Sequence, residues 1–325
     1  INAKPGHAIA DKAIASGSEN ALSLRPVTED ATPVLSFSQQ RLWLLDQIEQ
    51  GSAHYHLPAL LNIEGELDIA RMQRALSAVV ARHESLRTVF VEQESGAAAP
   101  KVQTASAILL PVIDLSVMKP GKQQVALAQK CESFVAKPFD LSSDVLLRAQ
   151  LFKVANARYK LLVVMHHIAA DGWSMSVLVN DVKAFYSQQS STLPPLPIQY
   201  GDYAHWQQAW MQGDVLASQL GYWREALADL PTVHQLPLDR PRPAVQQFDG
   251  AHLQTPISAK QVTAFKALCG ANQATLFMGL HALFSTLLAR YSQSQDIVMG
   301  TPIANREQHE VANLVGFFAN TLVLR

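Results

Sequence analysis

Charge is scarce in this chain, and what there is nearly cancels. Of 325 residues only 16% are charged, 26 basic against 27 acidic, and no Lys/Arg-rich run occurs. That balance lacks the electrostatic footprint a phosphate backbone requires, so nucleic acid is excluded as an expected partner. Long apolar runs are missing too. No uninterrupted apolar segment approaches the ~20 residues of a membrane-spanning helix, and the N-terminus lacks the basic-then-apolar order of a signal peptide. The expectation is a soluble, cytoplasmic protein with no membrane partner. Cysteine is limited to Cys131 and Cys269, which show neither CxxC nor metal-ligand spacing. They are read as buried free thiols in a reducing compartment, and neither is a good nucleophile candidate. Against these shortages stand 48% hydrophobic residues. Such a composition suits one large domain or two lobes with their own cores, not a disordered chain.

Residues 1–32 mix Ala, Ser, Gly, Asn and charge without period, which predicts a linker from an upstream module. From Ser36, SFSQQRLWLLDQIEQ predicts a helix with Phe37, Leu42, Leu45 and Ile48 near one face. Residues 59–64 read as a strand, 69–83 as a helix with Met72, Leu76, Val79 and Val80 at helical spacing, and 86–93 as a strand. A helix fits 122–136, strands fit 146–154 and 159–167, and a further helix spans 174–186. The alternation predicts a layered α/β lobe, a sheet covered by helices. The Pro-rich stretches LPPLP (193–197) and LPLDRPRP (236–243) interrupt regular structure and place a lobe boundary near residue 200. Helices are predicted beyond it over 258–269 and 275–291, the second apolar almost all round and therefore expected to be buried. Strands are predicted over 296–300 and 316–324.

The motifs of several common chemistries fail. Neither a P-loop nor GxGxxG occurs, and His83-Glu84 opens a zinc-protease pattern that has Arg87 where the second His is required. Gly172-Trp173-Ser174-Met175-Ser176 begins like a nucleophile elbow but has Ser176 where the second Gly belongs. The most informative stretch is MHHIAADGWS, residues 165–174, which joins an apolar strand to a helix and carries three ionisable groups. Neighbouring strand residues point to opposite faces, so His166 and His167 cannot both reach one point while the strand persists. This weakens a two-His, one-carboxylate site made with Asp171, and no metal is expected. Taken alone, a histidine is more often a satisfied core or surface residue than a reactive one. His54, His56, His205 and His281 are read that way.

Residues 165–174 resemble the HHxxxDG motif of condensation domains of nonribosomal peptide synthetases, which belong with the chloramphenicol acetyltransferase-like acyltransferases. Other family motifs occur in order. SFSQQRLWL (36–44) resembles SxAQxRLWxL with Ser38 for Ala, RHESLRTVF (82–90) the second motif, YGDYAHW (200–206) the fourth and VGFFANTLVLR (315–325) the fifth. The family's last two motifs are absent. The resemblance implies an α/β fold of two lobes in a V, residues 33–200 forming the first and 201–325 an incomplete second. It implies a tunnel between them, with Trp173 and Ser174 as candidate lining. It also implies donor and acceptor carrier domains that deliver substrates on 4'-phosphopantetheine, an adjacent adenylation domain, and no cofactor bound directly. The opening motifs are most similar to the subgroup joining an L-donor to an L-acceptor.

The resemblance assigns His167 to the reaction centre, His166 to a mainly structural place, and Asp171 to a salt bridge with Arg306. Gly172 is read as permitting a tight turn or close substrate approach. Trp43, Tyr203 and Trp206 are read as packing residues. A thioester donor arrives activated, so no protein nucleophile is required. A neutral imidazole, with an ordinary pKa of about 6.5, suits the proton released as the amine adds. General-base help is worth about 10²–10⁴-fold, and aligning tethered reactants about 7–11 kcal/mol. The alternatives are a starter or ester-forming acyltransferase using the same His, and a non-catalytic domain that docks carriers or recruits another enzyme.

Overall fold

Helices and strands alternate through the first part of the chain: α1 (Phe37–Glu49), β1 (His56–Glu64), α2 (Ile69–Arg82), β2 (Thr88–Glu92), β3 (Ala98–Val102), β4 (Val112–Asp114), α3 (Pro120–Ala136), β5 (Leu147–Ala155), β6 (Arg158–His166) and α4 (Gly172–Tyr186). They are followed by α5 (Tyr200–Trp210), α6 (Gly213–Ala226), α7 (Ala259–Ala271), α8 (Leu276–Ser292), β7 (Met299–Ile303) and β8 (Asn320–Leu324). This computed structural model describes residues 23–28, 30–49, 53–189, 192–244, 250–251 and 253–325. Residues 1–22 of the expected linker lie outside the described residues.

The main sheet has the order β1-β6-β5-β4, with β6 antiparallel to both neighbours and β4 parallel to β5 at the edge. Residues 161–166 of β6 are all buried, which explains why this strand reads as a continuous apolar run rather than an alternating one. The register sets His56 of β1 opposite His166 at the end of β6. Helix α2 is capped by Asp68, whose side chain accepts from the Arg71 N–H, and it buries Met72, Ala75, Leu76, Val79 and Val80. These residues recur at helical spacing, and α2 packs against α4. The buried face of α1 is Gln39, Leu42, Trp43 and Asp46, not the expected apolar set. Of the expected apolar set Leu42 is buried and Leu45 half-buried, whereas Phe37 and Ile48 are exposed and Gln39 turns inward onto the Ile168 carbonyl.

The chain divides into two compact units, one running to Ala217 and taking back Ile303–Asn320, the other made of Ser218–Pro302 and Thr321–Arg325. The division therefore falls later than residue 200, and α5 stays with the first unit. There Ile198, Tyr200 and Tyr203 form a second small core with Val311, Leu314 and Phe318. Leu24 is buried in the same core and the Val27 N–H donates to Asp202 Oδ1 at 2.8 Å, so this end of the expected linker is anchored rather than free.

In the other unit, α7 opens on a capping box between Ser258 and Gln261, and α8 opens on Thr275, whose side chain accepts from the Met278 N–H. The expectation that the apolar helix over 275–291 is buried fails. Phe277 is 58% and Leu283 57% exposed, and the only buried residue of α8 is Ser292. Hydrophobicity all round reports what a helix could bury, and among the described residues of this unit too little surrounds α8 to cover it. Both cysteines are free, Cys269 buried and Cys131 half-buried. No described helix is long and apolar enough to cross a membrane.

Candidate active site

The double histidine stands where β6 ends, and the strand stops between the two residues. His166 keeps strand geometry and is fully buried, with His56, Phe139 and Tyr55 around its ring. Its Nδ1 accepts from the Ile168 N–H at 3.2 Å, so the proton of the neutral ring sits on Nε2. Burial lowers its pKa to about 3, with the neighbouring His56, His167 and Arg148 adding to the effect. His166 is thus a neutral core residue.

His167 begins the turn that follows and is half-buried. Its backbone N–H donates to the Tyr55 carbonyl at 2.7 Å, while Ala169 and Ala170 donate back to the carbonyls of His166 and His167. Its ring lies 4.5 Å from that of Phe317, tilted by 59°. The turn is also held from α1, since Gln39 Nε2 donates to the Ile168 carbonyl at 3.3 Å. Gln39 escaped sequence reasoning as a site residue, although it lies inside the opening motif.

Asp171 ends the turn and caps α4. Its Oδ1 accepts from the Ser174 N–H at 2.9 Å and from Arg306 Nη2 at 3.0 Å, while Oδ2 accepts from the Phe318 N–H at 3.2 Å. Asp171 and Arg306 are brought together with each side chain only 2% exposed. Further hydrogen bonds offset the desolvation of such a pair: Arg306 Nη1 donates to the carbonyls of Val311 and Leu314, though its Nε is buried with no protein partner. Burial lowers the Arg306 pKa against the opposing pull of Asp171.

The structure separates the two candidate lining residues. Trp173 is 51% exposed, with its indole N–H on the Ala312 carbonyl. Ser174 is fully buried, and its hydroxyl faces Asp171, Arg306 and Gly316, which gives it a place in the framework instead of on an accessible wall. For Gly172 the tight-turn reading finds no support, while close substrate approach stays open. The residue does not have a positive φ, and a Cβ there would meet nothing within 4 Å, so no protein contact or backbone strain demands glycine. Among the described residues, no group of three or more His, Cys, Asp or Glu side chains could hold a metal ion.

Another buried histidine supports the same region. His83 follows α2 with its Nε2 at 2.8 Å from Asp181 Oδ2 of α4, and its Nδ1 accepts from the Val315 N–H at 3.3 Å. Burial lowers its pKa despite Asp181. The sequence shows His83 only in a failed zinc motif and as a member of RHESLRTVF, with no role assigned, because its partners lie far along the chain. Tyr203 is buried and Trp206 half-buried in the small core, and Trp43 in the large one.

The family model described as Condensation domain matches residues 29–325. One of the linear gramicidin synthase polypeptides of Brevibacillus parabrevis is 44% identical over 295 residues, covering 90% of this chain and 6% of that protein. Phosphinothricin tripeptide synthetase of Streptomyces viridochromogenes is 39% identical over 319 residues, covering 96% of this chain and 29% of that protein. The chain therefore spans a small part of the curated relatives it matches. Among solved structures, the complex of the X-domain and OxyB from teicoplanin biosynthesis aligns with a TM-score of 0.83 at 28% identity, over 95% of this chain and 68% of that one. The first condensation domain of the CDA synthetase shares the fold, with a TM-score of 0.71 at 21% identity over 91% of this chain and 71% of that one. With its ordered motifs and a family match over nearly its whole described length, the chain belongs to the condensation-domain family.

Proposed function

We propose that this condensation domain forms an amide bond between two carrier-bound substrates, with His167 as the catalytic residue. The observation that carries the reading is the division of labour at the end of β6. His166 is sealed in the core, whereas the half-buried His167 lies past the end of the strand, on a turn that the buried Asp171–Arg306 pair closes.

In the proposed reaction the acceptor's neutral amine attacks the donor thioester carbonyl. The C–N bond forms, the nitrogen loses a proton to His167, and collapse of the tetrahedral adduct breaks the C–S bond. The released thiolate then takes up the proton. Because His167 Nδ1 is enclosed by protein atoms, the nitrogen proposed to accept is Nε2. The activated thioester explains why no nucleophile elbow is needed. The open space in front of Gly172 supports its assignment to close substrate approach. Donor and acceptor carriers would present substrates on 4'-phosphopantetheine, and an adenylation domain would load the acceptor. The relatives at 38–44% identity are largely peptide synthetases, which supports these partners. No directly bound cofactor is part of the proposal, and the L-donor, L-acceptor subgroup belongs to it.

The test is reconstitution of the full-length polypeptide with loaded donor and acceptor carriers, read by mass spectrometry. His167→Ala should lower the amide-forming rate about 10²–10⁴-fold while carrier binding persists. Transfer to a hydroxyl but never to an amine would select the ester-forming alternative. A recruiting role is the second reading, favoured by the similarity to a domain solved in complex with OxyB. Equal product from His167→Ala would support it and remove the catalytic assignment.

A further inference from the structure

We infer that Phe317 is the positioning residue for His167, held in place by a cradle of polar side chains beneath its backbone. This inference rests on the proposed catalytic role of His167.

A working imidazole is ordinarily aimed by a hydrogen bond from its second nitrogen to a carboxylate, carbonyl or water, which fixes both tautomer and ring orientation. His167 has no such partner among the described residues, because its Nδ1 is buried and makes no hydrogen bond. What meets the ring is Phe317, at 4.5 Å between centroids and tilted by 59°. No described protein group hydrogen-bonds Nδ1 to set its χ2 angle, so the protein orients the imidazole by packing.

Packing can aim a ring only when the packing partner does not move, and four consecutive residues around Phe317 are tied down through their backbone. The Val315 N–H donates to His83 Nδ1 at 3.3 Å, and the Val315 carbonyl accepts from Ser85 Oγ at 2.7 Å. The Gly316 N–H donates to Ser174 Oγ at 3.1 Å, the Phe317 carbonyl accepts from Tyr200 OH at 2.6 Å, and the Phe318 N–H donates to Asp171 Oδ2 at 3.2 Å. Each of these partners is buried. His83 can accept at Nδ1 only while Nε2 carries the proton, and the 2.8 Å contact of Nε2 with Asp181 holds that tautomer. The wall behind the imidazole is thus fixed by groups from α4 and its cap, from α5 and from the turn after α2.

A double-mutant cycle in the full-length polypeptide tests this, with Phe317→Leu, which retains apolar bulk without the ring, His167→Ala, and the two combined. Phe317→Leu should lower kcat about 10- to 100-fold with KM for the loaded acceptor carrier nearly unchanged. In the His167→Ala background it should cost nothing further, because the group it aims has gone. An equal loss in both backgrounds would overturn the positioning role, while the loss from His167→Ala alone would keep the catalytic reading. Full activity of His167→Ala would remove that reading instead. Phe317→Met is the second variant should the Leu variant fold poorly. A measurement without turnover accompanies both: the His167 imidazole Cε1–H resonance, assigned by its loss in His167→Ala, should shift when the Phe317 ring is removed. An unmoved resonance would overturn the contact.

Discussion

Arg306 reaches across 135 residues of chain to donate to Asp171 at 3.0 Å, and neither side chain is more than 2% exposed. The pair closes the turn that carries His167, caps α4 and ties Phe318 to the same carboxylate. Asp171→Ala would strand a buried guanidinium and two backbone donors. We expect a loss of about 3–5 kcal/mol in chemical denaturation. An unchanged unfolding midpoint would show that the pair is not buried in solution.

Acid should destabilise the fold through its buried histidines. His166 holds a folded pKa of about 3, and His56 and His83 are also pushed below the ordinary value by burial. Between about pH 6.5 and 3 the unfolded chain binds protons that the native chain refuses, so stability is full above about 6.5 and is lost as pH falls through this window. His166 alone contributes a slope approaching ~1.4 kcal/mol per pH unit there. His166→Asn keeps an acceptor for the Ile168 N–H and should flatten the decline. Urea midpoints between about pH 7.5 and 5 check this, and identical slopes for the two proteins would contradict it.

Gly316 leaves no room for a side chain. A Cβ would overlap the Tyr200 ring and lie 2.6 Å from Phe318 Cε2, both in the small core. Gly316→Ala should therefore cost about 1–3 kcal/mol as overpacking. Because this wall also carries Phe317, activity should fall in the same variant at temperatures where it remains folded. Wild-type melting and rate together would refute the close approach.

Tyr200→Phe removes a hydroxyl that donates to the Phe317 carbonyl and contacts Ser36 Oγ at 2.8 Å. The ring packing survives, so the loss reports the two buried partners left behind, the Phe317 carbonyl and the Ser36 hydroxyl, and should be about 1–3 kcal/mol. Denaturation should show a lower midpoint with an unchanged m-value.

The parts of the fold that were legible in the sequence are those whose own residues decide them. The uninterrupted apolar run before the double histidine gave β6, and the spacing of Met72, Leu76, Val79 and Val80 gave α2. What pairing decides was hidden. β3 contains Pro100 and exists as the partner of β2, and β4 is three residues held at the edge of β5. The exposure of α8 was equally hidden, because periodicity cannot tell an apolar helix what lies beside it. At the site, HHxxxDG marked His166, His167 and Asp171, but no local pattern links His83 to Val315 or Phe317 to His167. These contacts span 232 residues in the first case and depend entirely on how the chain returns.

That return governs when the centre can form. Asp171 leaves the ribosome long before Arg306, and the whole of Ser218–Pro302 must be synthesised between them, although Ile303–Asn320 completes the first unit. Until then the carboxylate has no guanidinium and the imidazole no ring behind it. A nascent chain can complete its sheet once β6 is made, yet the candidate site matures last, through a closure of high contact order that is slow by nature.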